Sequence, residues 1–148
     1  SFPRGFLKAQ MGAGVHLPET GTVFVSIRDA DKTPEMSAAA TLLAERGFVI
    51  VATAGTAAFL EAAGIACERV KKVYEGRPNI VDRMKDGAID LVINTTEGSA
   101  AVSDSRDIRS VALYDKIPYF TTAAGAQAAA QAIRALGDGD LVVKPLQA

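Results

Sequence analysis

The chain carries a single cysteine, Cys67, a single histidine, His16, and no tryptophan. One thiol cannot close an internal disulfide, so a reducing, cytoplasmic setting is expected. One imidazole and one thiol make neither a zinc-type ligand set nor a histidine cluster, so no metal site is expected. His16 itself falls in a Gly- and Pro-rich stretch and reads as solvated. No apolar run approaches the ~20 residues that a membrane helix needs, and the opening SFPRGFLKAQ lacks the apolar core of a signal peptide. Charge of neither sign prevails: 16 Lys and Arg face 17 Asp and Glu, a net charge of -1. That balance argues against a dedicated nucleic-acid or membrane-surface partner. The phosphate-loop pattern GxxxxGK[ST] is missing too, which removes the usual sequence signature of ATP hydrolysis.

What is present is enough to build a core. The chain has 148 residues, of which 49% are hydrophobic and 22% charged, a composition suited to one folded domain and unlike that of a disordered segment. Residues 2–11 read as a short amphipathic helix. Residues 12–21 (GAGVHLPETG) hold three Gly and one Pro and read as a linker. A first residue other than Met, inside a helical pattern, suggests a segment cut from a longer chain. The expected division is therefore a tail plus linker over 1–21 and a domain over 22–148.

From residue 22 the pattern alternates. Runs at 23–27 (VFVSI), 48–52 (FVIVA), 91–94 (LVIN) and 141–144 (LVVK) read as strands, and residues leading to Val70 read as another. Between them lie helical stretches: one opened by Thr33 as N-cap and Pro34 at the first position, then 56–63, 80–86, 105–114 and the Ala-rich 123–136. Strands apolar on both faces, alternating with helices, predict a three-layer α/β sandwich around a parallel sheet of about five strands. In such sheets ligands bind beyond the carboxyl ends of the strands. Candidate functional residues therefore follow each apolar run.

Lys32 follows the first run, just before a helix, placed to reach an anion over the sheet. After the second comes Thr53-Ala54-Gly55-Thr56, entering a helix directly. Gly55 lets a ligand approach the backbone, helix amides bind phosphate, and two hydroxyls add donors. An ordinary strand-to-helix turn with Thr56 as N-cap has the same pattern. Lys72 lies beyond Val70, where it would join Lys32; Arg77 in EGRP is a weaker anion ligand. Asn94-Thr95-Thr96 follows the run 91–94, with donors and acceptors suited to sugar hydroxyls or a base edge. Together these residues describe a pocket for a phosphorylated small molecule. Catalytic groups are lacking: Ser105 reads as a helix N-cap and Asp107 as a first-turn acid.

Five ordered blocks then carry a family resemblance: Ser26-Ile27-Arg28 with Asp31-Lys32; Ala52-Thr53-Ala54-Gly55-Thr56-Ala57; Lys72-Val73-Tyr74-Glu75-Gly76-Arg77-Pro78; Ile93-Asn94-Thr95-Thr96; and Asp104-Ser105-Arg106 with Ile108-Arg109. They resemble the C-terminal allosteric domain of the carbamoyl phosphate synthetase large subunit, which has the methylglyoxal-synthase-like, Rossmann-like fold. The resemblance implies a regulatory domain that is not itself catalytic. The parent enzyme would make carbamoyl phosphate for arginine and pyrimidine synthesis from glutamine, bicarbonate and ATP with Mg or Mn, aided by a small glutaminase subunit. This domain would need no cofactor; it would bind UMP or IMP, with ornithine at its boundary with the neighbouring domain. The positions matching the family's phosphate ligands are Lys32, Thr53, Thr56 and Lys72 around Gly55, and those along the nucleoside are Asn94 and Thr96. At the ornithine boundary Phe120 replaces a carboxylate before Thr121-Thr122, which leaves Thr121 as the candidate there. The sister enzymes fit less well. Methylglyoxal synthase, a lyase acting on dihydroxyacetone phosphate, needs an Asp where Arg77 stands and a His near Ser103-Asp104. The inosinate cyclohydrolase domain needs a His- and Lys-rich loop where EGRP stands.

Overall fold

The computed structural model describes residues 15–96 and 102–139. Its central strand is β1 (Thr22–Ser26), flanked by β2 (Val49–Ala52) and β4 (Leu91–Asn94); β3 (Glu68–Arg69) and β5 (Tyr119–Phe120) form the edges. All neighbours pair in parallel, in the order β3-β2-β1-β4-β5. Val23 lies beside Ile50 and Leu91, and Val25 beside Ala52 and Ile93. Alternation along β1 sends Val23 and Val25 into one core and Phe24 into the other, because successive strand residues face opposite sides.

Helix α1 (Pro34–Glu45) starts as its sequence dictates: the Thr33 hydroxyl accepts from the Met36 amide at 3.2 Å and Pro34 occupies the first turn. Met36, Ala39, Ala40 and Leu43 form its buried stripe, and the chain turns at Gly47 with φ +90°. Helix α2 (Ala54–Ala62) packs through Ala57 and Leu60 into the same core. The last described helix, α5 (Ala123–Gly137), begins where the Thr122 hydroxyl accepts from the Gly125 amide at 3.0 Å. Its face of Ala126, Ala129, Ala130 and Ile133 packs against α1; small side chains let the two helices approach. On the opposite side α3 (Ile80–Lys85) and α4 (Val102–Tyr114) bring Ile80, Met84, Ile108 and Ala112 against Phe24, Val51 and Val92. This is the three-layer parallel α/β sandwich.

Several elements differ from the sequence reading. The fifth strand is Tyr119–Phe120, a two-residue edge too short to leave a periodic signal, while the expected helix over 2–11 and strand over 141–144 lie outside the described residues. The third strand is the exposed pair Glu68–Arg69, continued by a hydrogen bond from the Val70 amide to the Ala52 carbonyl at 3.0 Å. Helix α2 starts earlier than expected, with Thr53 as N-cap instead of Thr56. Ser105 is a buried residue inside α4, not its cap, so Asp107 is not in the first turn. Residues before β1 also pack on the domain: Leu17 is buried and Val15 touches the same core. No helix among the described residues is long and apolar enough to cross a membrane.

Candidate functional site at the carboxyl ends of the strands

The chain runs from β1 outward to β2 and β3, then returns across the sheet to β4 and β5. This reversal places a topological switch point between the carboxyl ends of β1 and β4, where side loops diverge and leave a crevice. Three backbone-to-side-chain bonds stitch the loops together. The Ile27 amide donates to the Thr56 hydroxyl at 2.9 Å, joining the end of β1 to the first turn of α2. The Arg28 amide donates to the Thr95 hydroxyl at 3.1 Å, and the Thr95 amide donates to the Ser26 carbonyl at 2.9 Å.

Thr53 is extended at φ -70°, ψ 162°, and its hydroxyl makes no capping bond to α2. The first-turn amides of that helix lack intrahelical partners and carry the positive end of its dipole. Above them sits Lys32: a Cβ added to Gly55 would lie 3.6 Å from the Lys32 ammonium. The absent side chain leaves the backbone of this turn uncovered on the side facing the ammonium. Thr56 lines this turn as a buried residue; a hydroxyl that accepts from Ile27 still has a proton to donate. The geometry suits a compact anion with several oxygens, such as a phosphate.

Lys32 is held by the Asp29 carboxylate at 2.8 Å, and the Lys32 hydrogen bond, with its charge, keeps the Asp29 carboxyl below its ordinary range. Asp29 opens the short 3-10 turn Asp29–Asp31, whose other acid pairs with Arg28 at 2.9 Å. Lys72 lies at the same pole, two residues past the Val70 amide bonded to β2. Its ammonium lies 5.7 Å from the Tyr74 ring centre, and its backbone amide donates to Glu75 at 2.7 Å. Arg77, by contrast, is engaged with Asp82 through a 2.7 Å Nη2 bond and a 3.1 Å Nε bond.

Asn94 is fully buried. Its amide donates to the Ser105 hydroxyl and the Tyr119 hydroxyl, each at 3.2 Å, and its carbonyl accepts from the backbone amide and hydroxyl of Thr96. Every hydrogen-bonding position of that side chain is spent inside the protein, so its geometric role is to orient Thr96. Thr121 follows β5 and is half-buried, immediately before the α5 N-cap. Sequence reasoning missed Ser105 and Tyr119 as supports of Asn94, for which no local pattern exists. Nor did it single out Asp29, although a three-residue spacing from Lys32 is a usable signal for an ion pair.

A cleft of about 600 Å3 lies at the opposite pole, by the starts of β4 and β5, lined by His16, Lys85, Asp86, Asp90, Asp115 and Lys116 among others. Its mixed charges favour no particular ligand. Among the described residues no group of three or more His, Cys, Asp or Glu could hold a metal. Cys67 is half-buried beside α2, and burial, with Glu61 nearby, pushes its thiol pKa up.

The fold is that of a family of α/β domains. The family model of the MGS-like domain matches residues 35–121, and the chain belongs to that family. Among curated proteins it is similar to the carbamoyl phosphate synthase large chains of Rhizobium meliloti (strain 1021), 51% identical over 142 residues, and Brucella suis biovar 1 (strain 1330), 52% identical over 142 residues. Both matches cover 96% of this chain and 12% of the relative. The protein of that name from Mesorhizobium japonicum is 49% identical over 146 residues, covering 99% of this chain and 12% of its own. The chain thus spans about an eighth of the length of these relatives.

Proposed function

We propose that this chain is the nucleotide-sensing regulatory domain of a carbamoyl phosphate synthetase large chain, and that it binds UMP or IMP at the carboxyl pole. One observation carries this reading: the Lys32 ammonium stands over Gly55 at the uncapped amino end of α2. Lys32, Thr53, Gly55 and Thr56 hold the nucleotide phosphate, with Lys72 closing the site from the β3 side. Thr96, oriented by Asn94, lies along the nucleoside. Thr121 belongs to the boundary with the neighbouring domain, where the buried Phe120 offers no carboxylate for ornithine.

Support for the parent enzyme comes from the names of relatives that match almost the whole chain. The parent would join bicarbonate, glutamine-derived ammonia and ATP, with Mg or Mn, using its other large-chain domains and a small glutaminase subunit. This domain itself takes no cofactor and performs no step. Its effect rests on unequal nucleotide affinity for two states of the whole enzyme, typically a coupling of about 1–3 kcal/mol.

The test is the rate of glutamine-dependent carbamoyl phosphate synthesis by the full-length enzyme, titrated with UMP, IMP and ornithine. A saturable change with UMP or IMP, shifted to higher nucleotide concentration in Lys32→Ala, is expected. Rates indifferent to both nucleotides would overturn the regulatory reading. Phosphate release from dihydroxyacetone phosphate would point to lyase chemistry instead, against which stand Arg77 in place of that enzyme's Asp and the lack of a His near Ser103-Asp104.

A further inference from the structure

Lys32 is only 23% exposed at its side chain, whereas the Asp29 side chain that meets it is 96% exposed. An aspartate so open to water gains little from a surface ion pair by itself. Its position is nevertheless particular: it contacts the ammonium that, among the described residues, stands over the Gly55 turn. The remaining charges of this turn are already matched, since Arg28 pairs with Asp31. The Lys32 hydrogen bond also keeps the Asp29 carboxyl ionised below the ordinary carboxylate range.

From this juxtaposition we infer that Asp29 is an internal counter-ion of the site, a carboxylate that occupies Lys32 and must release it, or share it, when a phosphate enters. The inference deepens the proposed effector site and rests on that reading. Two consequences follow from the chemistry. Asp29 lowers the affinity for every anion by competing for the ammonium and repelling incoming negative charge. The repulsion grows with the charge of the incoming anion, so a phosphate dianion must recover it from the ammonium and the amides of α2. The short turn Asp29–Asp31 is then the first segment to respond when the site fills, and it lies directly between β1 and α1.

The experiment is calorimetric titration of the full-length protein with UMP, comparing wild type with Asp29→Asn and Asp29→Glu, each also in a Lys32→Ala background. Asp29→Asn should bind UMP about two- to fivefold more tightly, the range expected for losing a competing exposed ion pair. Asp29→Glu, which keeps the charge, should bind like wild type. The gain should shrink in Lys32→Ala, where only the repulsion remains, which a purely structural role of Asp29 would not require. Unchanged or weaker binding in Asp29→Asn would overturn the inference, and so would a gain of the same size without Lys32. If wild type and Asp29→Asn both give flat titrations, the effector site itself is refuted and this inference falls with it. That outcome is distinct from the others.

Discussion

Gly55→Ala should separate stability from ligand binding, since the two should move in opposite directions. Gly55 lies in the first turn of α2 and is not among the glycines of positive φ, so an alanine adopts its backbone without strain. The added Cβ would meet only the Lys32 ammonium at 3.6 Å, an ordinary contact distance. Alanine also removes conformational freedom from the unfolded chain and favours the helix, a gain of about 0.4–1 kcal/mol. The same methyl would stand in the space assigned to a phosphate oxygen. Displacing that oxygen from one charge-assisted hydrogen bond costs about 1.5–3 kcal/mol, or roughly a 10- to 150-fold loss of UMP affinity. Urea denaturation would give the stability change, and calorimetry with UMP the affinity change. Refutation would be either a Gly55→Ala protein that binds UMP like wild type or one whose weaker binding merely tracks a loss of stability.

Other expectations concern the fold and its charges. Phe120→Asp, which would supply a carboxylate before Thr121, should destabilise the protein by more than the about 3–5 kcal/mol typical of Phe→Ala, because Phe120 is fully buried; chemical denaturation measures it. Gly21→Ala should cost about 1–3 kcal/mol: Gly21 has φ +137°, and an added Cβ would lie 2.4 Å from the Asp90 carboxylate that holds the Thr22 amide. Asp82 is held below its ordinary pKa first by the Arg77 hydrogen bond and then by the Asn79 amide, and Glu61 and Glu68 are lowered by Arg69 and Arg83. A carboxyl depressed on folding contributes stability above its unfolded pKa and loses that contribution as pH falls through its folded value. Stability should therefore decline below about pH 4, and Asp82→Asn should flatten that decline in denaturation curves measured against pH.

The layered fold was legible where side chains alternate strictly. Phe24 between Val23 and Val25, with Thr33-Pro34 opening a stripe of Met36, Ala39, Ala40 and Leu43, needed only local periodicity. Strand β5 was not legible, because Tyr119 and Phe120 carry no pattern of their own and become a strand by pairing with Val92 and Ile93. The α2 cap was misplaced for a related reason. Thr53 and Thr56 both suit a cap, and the choice depends on Thr56 being taken by the Ile27 amide across 29 positions. Sequence order also identified the strand-end loops as one region, because parallel topology brings them together. It did not reveal that Asn94 is consumed by Ser105 and Tyr119, a constraint that exists only after packing.

The most direct test is a crystal structure of the full-length protein with UMP bound. The account predicts the phosphate at the amino end of α2, within hydrogen-bonding distance of the Gly55 and Thr56 amides and of the Lys32 ammonium, with Asp29 drawn away from that ammonium or sharing it. UMP in the cleft at the opposite pole beside Lys85 and Lys116, or with its phosphate remote from α2, would contradict it.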